Sequence, residues 1–509
     1  MSGVSPSCET RTSTSASRSG RRTSSSASTA SPPVIAAWND VPQPLKRSRA
    51  PSGKRLSVGT CASHSGWAAI ARRVCSPCTS DRSIRSSAVT VFQRDTLDNG
   101  LRVLTADLPH AQSVAVLVML AAGSRYETDE AQGIAHFSEH MFFKGTEKRP
   151  SAREIAGAID AIGGEFNAFT GKEYTAYYVK CAAEHRDVAL DVLVDMIRNA
   201  RFEEEQIERE KGVIVEEMNM YFDTPRDFIG GVYETLLWGD QPLGRDIIGT
   251  KETIRAATRD TFTGYLDRWY KPSRMVLGVA GRIGDGLVER AQELLGDLAA
   301  GETGEPEAVA PHTNGRVVVH TKQSEQAHVI LGVASLPLDH PDRYAVQLLA
   351  TALGGGMSSR LFSEVRERRG LAYYVYGLNH SYTDAGTLYS QAGVDINRID
   401  DAVATIAGEL RKIAAEPLPA EELEKARNFA KGRFVLQLES PQGLMLFGLR
   451  KEVLERKLPD PDEVLGGIDA VTSDDVARVA SELIAADRLR LAVIGPFDDA
   501  ARFEPLLDG

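Results

Sequence analysis

His136 and His140 stand four residues apart in the stretch HFSEHMFFKGT, with Glu139 between them. On a helix, positions i and i+4 share a face, so both imidazoles can reach one ion. Glu139, at i+3 from His136, lies on the edge of that face, while Phe137 and Ser138 point elsewhere. Zinc accepts neutral imidazole nitrogen, and catalytic zinc keeps three protein ligands and one open position. Glu139 could take a proton from a water in that position. At this composition a His-x-x-acid-His pattern arises by chance about 0.03 times per chain. A buried helix also tolerates unpaired histidines and a glutamate poorly. The pattern therefore predicts a metal site.

Such a site needs a third ligand, and the acidic stretch FEEEQIEREKGVIVEEMNMY from Phe202 offers candidates. Glu203, Glu204, Glu205 and Glu208 read as a solvated face at a helix start, where acids suit the macrodipole. Glu210 and Glu217 lie two turns apart on one face and flank the apolar residues 213–215. That face is expected to point inward, where a carboxylate needs a metal or a cation. Spacing from Glu210 favours Glu217 as the ligand, but the residues alone do not separate it from Glu216.

The elements that hold these residues recur. The run from Val114, VAVLVML, pairs with HVILGV from His328 at an offset of 214 residues. RMVLGVAG from Arg274 pairs with RLRLAVIG from Arg488 at the same offset, and FEEEQIE from Phe202 pairs with LPAEELE from Leu418 at 216. Order and spacing agree, so a duplicated domain of about 200 residues is predicted. At the 214 offset, His136, Glu139 and His140 fall on Ala350, Leu353 and Gly354, so the second copy lacks the metal residues. The first copy opens on VFQRDTLDNGLRVLTADLP, where Asn99-Gly100 signals a hairpin turn. GETGEPEAVAPHT, residues 301–313, reads as a linker between domains spanning 89–300 and 314–509.

The chain has 509 residues, 42% apolar and 25% charged, the profile of a globular protein. Its net charge of −11 is uneven: residues 1–90 carry thirteen Lys/Arg and three acids, leaving −21 on the remainder. An acidic body argues against nucleic-acid binding. No apolar run reaches the roughly 18–20 residues of a membrane span, so no membrane partner is expected. Residues 1–88, rich in Ser and Arg, lack hydrophobic periodicity and should be disordered. They read as a transit peptide, a solvated tail or an over-extended reading frame. The Cys75–Cys78 pair has no second half of a zinc site and is expected to be incidental. Cys181 is the lone body cysteine, which fits a reducing compartment. A cytoplasmic location is expected, or an organelle matrix if residues 1–88 are a transit peptide.

His136-Phe-Ser-Glu139-His140 is the HxxEH, or inverzincin, arrangement. With Glu217 following His140 after 76 intervening residues, it resembles the M16 metallopeptidases, the pitrilysin, insulysin and mitochondrial processing peptidase family. TLDNGLRVLT, GGEFNAFTGKEYTAYY from Gly163 and GGGMSSRLFSEVRERRGLAYYVYG from Gly354 extend the likeness over residues 91–500. Ser138 is the one departure inside HxxEH, where larger apolar residues are common.

The resemblance implies an α+β fold of two homologous domains, each an antiparallel-rich sheet covered by helices. It implies a zinc endopeptidase or oligopeptidase with one zinc per chain on His136, His140 and Glu217. Glu139 would activate water, and Glu210 would support a ligand from behind. Arg366 and Tyr373, spaced Arg-x6-Tyr, would act on the substrate carbonyl from the second domain. Asn167, Ala168 and Thr170 would line an edge strand that binds peptide, with Phe137 also carried over as substrate-binding. The glycines from Gly354 would form a flexible turn near substrate. A homodimer enclosing a chamber for short or unfolded peptides is expected, because one chain holds both HxxEH and the Arg/Tyr pair. A presequence-processing subunit and a non-catalytic assembly protein are the alternatives.

Overall fold

The computed structural model describes residues 91–311 and 315–508. The expectations for residues 1–88, with the Cys75–Cys78 pair, lie outside the described residues.

The strands are β1 Gln93–Thr96, β2 Arg102–Asp107, β3 Ser113–Leu120, β4 Glu165–Thr170, β5 Thr175–Ala182 and β6 Met275–Gly281 in the first half. The second half holds β7 Val317–Thr321, β8 Ala327–Ser335, β9 Ala372–Ser381, β10 Gly386–Val394 and β11 Arg490–Gly495. The first sheet has the order β1-β2-β6-β3-β5-β4 and the second β7-β11-β8-β10-β9. Apart from the extra hairpin strand β1, the two orders are the same. In each, one parallel pair (β2 with β6, β7 with β11) accompanies antiparallel neighbours. Duplication is thus visible in topology as well as in spacing. Gly100, at φ +87°, turns the β1–β2 hairpin where Asn99-Gly100 predicts it.

β3 explains why its sequence is apolar throughout rather than alternating. Val114, Val116, Val118 and Leu120 face one core, and Ala115, Leu117 and Met119 face another. A strand covered on both sides has no polar face to show. One side is covered by helices of its own half, including Ile134–Phe142, which bears the histidines.

The other side is covered by the second half. The helix Pro441–Leu454 lays Leu444, Met445 and Leu449 on the first sheet, among Leu104, Leu117 and Val276. Reciprocally, the helix Pro225–Trp238 lays Ile229, Tyr233 and Leu237 on Ile330, Ala492 and Ile494 of the second sheet. Two glycines admit these helices. A Cβ at Gly278 would lie 2.6 Å from Met445 Sδ, and one at Gly332 would lie 2.6 Å from the Tyr233 hydroxyl. Neither sheet is closed by its own half, so the halves are separable in sequence but not in packing.

A buried ionic cluster adds to this link. Arg125, 2% exposed, donates to Glu173 at 2.8 Å and to Asp384 at 2.5 and 2.6 Å. Glu173 sits in the β4–β5 turn and also accepts from the Thr383 backbone at 3.0 Å, so the hairpin tips of the two halves meet. Among the described residues, no helix is long and apolar enough to cross a membrane.

Candidate metal centre

The helix Ile134–Phe142 begins at Gly133, whose φ of +87° turns the chain in. It carries His136 and Glu139, each 6% exposed, and the half-buried His140. Gly145 lies beyond the helix end at Phe143, where its φ of +145° bends the chain toward Pro150. The helix Glu204–Asp223 packs beside it and buries Ile207, Glu210, Ile214 and Met218. Its buried face passes through Ile214 alone of residues 213–215; Val213 is 49% exposed. Glu203, Glu204, Glu205 and Glu208 remain on the solvated side.

His136 Nε2 lies 3.8 Å and His140 Nε2 3.6 Å from the two oxygens of Glu217. One ligand atom from each of His136, His140 and Glu217 falls within 4.8 Å of the others. Tetrahedral zinc with bonds of about 2.0–2.1 Å places its ligands roughly 3.3–3.5 Å apart. The donor set is therefore of the right chemistry and nearly the right spacing for zinc. Glu216 is not part of it.

The electrostatics differ among the three ligands, and a metal must displace a proton where the pKa is raised. Burial and the neighbouring His140 hold His136 well below the ordinary histidine value, so its imidazole is neutral. Burial works against a charged His140, but the hydrogen bond to Glu210 and the charge of Glu217 prevail and raise it. His140 Nδ1 lies 2.9 Å from Glu210, whose other oxygen takes Lys144 Nζ at 2.6 Å. Burial alone would raise Glu210, but these two partners bring it below the usual carboxylate value. Glu210 thus orients His140 from behind, a common arrangement at metal sites. Burial raises Glu217, partly opposed by His140. Burial likewise raises Glu139, against the pull of Thr170.

The edge strand places its three expected residues differently. Thr170 and Ala168, expected along a peptide-binding strand, are 9% and 3% exposed. Thr170 Oγ1 donates to Glu139 Oε2 at 2.5 Å, so its side chain belongs to the candidate base. Asn167 is exposed, and its Oδ1 accepts the Ala168 backbone N–H at 2.9 Å. β4 is the sheet's edge and pairs only with β5.

Phe137 departs from its expected place. It is fully buried and packs edge-on against Phe262 with ring centroids 4.8 Å apart. It points into the core and has no exposed surface to offer a peptide. Ser138 is also fully buried.

Arg366 lies in a wide π-type helix, Phe362–Arg368, and Tyr373 at the start of β9. The guanidinium stands 5.7 Å from the Tyr373 ring centre, and Tyr373 is 66% exposed. The structure brings these two together. Among the described residues neither hydrogen-bonds to the histidine–glutamate cluster. Gly354, expected in a flexible turn, is a packing glycine: a Cβ there would lie 1.9 Å from Gly377 N. Where the first half has His140, the second has helix pressed on strand.

Lys144, Glu127 and Thr170 carry contacts that sequence reasoning did not assign. Lys144 had a signal, since it continues the four-residue step from His136 through His140. Thr170 acts from a distant strand and Glu127 from an irregular turn, and neither had one.

Two family models match the chain: Insulinase (Peptidase family M16) over residues 102–251, and Peptidase M16 inactive domain over residues 256–429. An uncharacterized zinc protease of Bacillus subtilis is 39% identical over 407 residues, spanning 80% of this chain and 98% of its own length. The chain belongs to peptidase family M16. An uncharacterized zinc protease of Streptomyces coelicolor is 38% identical over 420 residues, 81% of this chain and 91% of that protein. The M16 fold recurs in the crystal structure of a protease from Helicobacter pylori, with a TM-score of 0.74 at 22% identity over 80% of this chain and 99% of that one. The "inactive" label of the second M16 model falls on the half in which Ala350, Leu353 and Gly354 replace the metal residues.

Proposed function

We propose that the chain is a zinc-dependent endopeptidase or oligopeptidase that hydrolyses short or unfolded peptides. The observation that carries this reading is the convergence of His136, His140 and Glu217 beside the buried Glu139. Zinc, when bound there, polarises the scissile carbonyl and acidifies water. With Oε2 engaged by Thr170, Glu139 has Oε1 free to take a proton from the attacking water and pass it to the leaving amine. An extended peptide adds to the open edge of β4 as a further strand, past Asn167. Arg366 and Tyr373 donate to the carbonyl oxygen as it gains charge. Their exposure leaves them available to a peptide in the same chain or in a second copy, and a homodimer is the assembly we expect.

The test is metal analysis with peptide cleavage. The wild-type chain should hold about one zinc and lose cleavage of an unstructured peptide to a chelator. Glu139→Gln should keep the zinc and lose the cleavage. Chelator-insensitive cleavage, or a wild-type chain that takes up no zinc, overturns the reading.

A further inference from the structure

The two histidines are supported unequally. His140 has a carboxylate behind its ring, Glu210 at 2.9 Å. His136 has nothing equivalent: its Nδ1 is buried and has no hydrogen-bond partner among the described residues. No bond to the ring fixes its direction, so its placement must come from the backbone that carries it.

That backbone is held by Glu127. The helix starts on Gly133, which has no side chain to cap it. The first N–H groups of a helix lack partners within it, and in a buried setting they need acceptors from elsewhere. Glu127, 8% exposed, supplies them from six residues upstream. Its Oε2 accepts from Gly133 N at 2.8 Å and its Oε1 from Ala135 N at 2.7 Å. Ala135 immediately precedes His136, so one of these bonds holds the peptide unit one step before the one that carries the imidazole.

Glu127 is itself anchored. In the preceding turn, Ser124 N bonds Gly171 O at 3.1 Å and Arg125 N bonds Lys172 O at 2.9 Å. Tyr126 packs edge-on against Trp269 at 4.9 Å. The clamp thus runs from the β4–β5 turn, beside Thr170, into the first turn of the metal helix.

We propose that Glu127 is a positioning residue for His136: it fixes the ligand through the helix backbone, as Glu210 fixes His140 through its ring. The inference rests on the zinc reading above.

The test measures zinc affinity of the full chain by competition with a chromophoric chelator, well below the melting temperature. Glu127→Ala should weaken affinity by about tenfold, the scale seen when a ligand's supporting partner is removed. Glu127→Gln, with one accepting oxygen, should fall between Ala and wild type, and it serves if the Ala variant folds poorly. A double-mutant cycle separates the routes. In a His136→Ala background, Glu127→Ala should cost no further affinity, while Glu210→Gln still should. Affinity within twofold of wild type in Glu127→Ala, or an undiminished loss in the His136→Ala background, overturns the proposal. Amide hydrogen exchange over residues 134–142 is a readout that needs no metal. Faster exchange in Glu127→Ala supports the clamp, and unchanged exchange sinks it. A wild-type chain that binds no zinc defeats the functional reading instead, and the exchange result still decides the clamp.

Discussion

Thr170 Oγ1 lies 2.5 Å from Glu139 Oε2, so a strand that faces the peptide edge also holds the candidate base. The bond leaves one carboxylate oxygen for proton transfer and fixes the plane of the group. Thr170→Val keeps the shape and removes the donor. It should lower kcat by about tenfold with zinc content unchanged and KM moved less, since general-base contributions run from ~10²-fold upward and part survives. Thr170→Ser should retain most of the activity. Equal kcat for the Val and Ser variants would refute this role.

Glu210 joins His140 to Lys144. Glu210→Gln should reduce zinc affinity by about 10–100-fold, because the neutral amide no longer supports the imidazole as a carboxylate does. Lys144→Met should act in the same direction and more weakly, since it touches His140 only through Glu210. Chelator competition measures both. A larger loss in the lysine variant would show that Lys144 acts by another route.

Legibility followed helical periodicity. His136, Glu139 and His140 were readable because a helix sets their geometry within one turn. Glu217 was readable less directly, through its seven-residue step from Glu210. Thr170 on Glu139 was not, because tertiary folding makes that contact, and Glu127 on Ala135 was not, because an irregular turn makes it and no helical or strand period encodes it. The duplication was legible from constant offsets, but the exchange of helices was not. The apolar faces of residues 225–238 and 441–454 announce burial without naming the sheet that buries them. Phe137 was carried over by likeness, and its spacing from the histidines did not reveal that it packs into the core against Phe262.

Arg125 is the buried cation between Glu173 and Asp384, and it also donates to Glu307 O at 2.7 Å. Burial works against its charge, but the two carboxylates outweigh it and raise its pKa. Arg125→Met would leave Glu173 buried without its partner, and a broken buried pair typically costs ~3–5 kcal/mol. Asp384→Asn should cost far less, since Asp384 is partly exposed and Arg125 keeps Glu173. Urea unfolding of the full chain compares the two. A similar midpoint for both variants would contradict this ranking.

His380 supplies a pH dependence. Burial, then Arg450, outweighs Glu234 and, with Lys172, pushes the imidazole down to about 4. A lowered histidine means that the folded state prefers the neutral ring. Its contribution is full above the unfolded value of about 6.5 and is lost as pH falls from there toward 4. Allowing for partial exposure of the ring, the loss should be on the order of 2 kcal/mol. His380→Phe should flatten that part of the stability profile between pH 7.5 and 4.5. An unchanged slope would mean that the ring is more open to water in solution than its packing on Tyr382 indicates.

Arg366 and Tyr373 face each other, with Tyr373 well exposed, and among the described residues no hydrogen bond ties either to the metal cluster of their own chain. If a second copy supplies them, the two defects can complement. Chains bearing Glu139→Ala lack the base but keep the pair, and chains bearing Arg366→Ala lack the pair but keep the base. Mixing them after subunit exchange should restore up to about a quarter of wild-type turnover, because only one site in each mixed dimer is intact and half of the dimers formed at random are mixed. Each variant alone should stay near background. Absence of recovery, with dimers present and exchange verified, would assign Arg366 and Tyr373 to the site of their own chain.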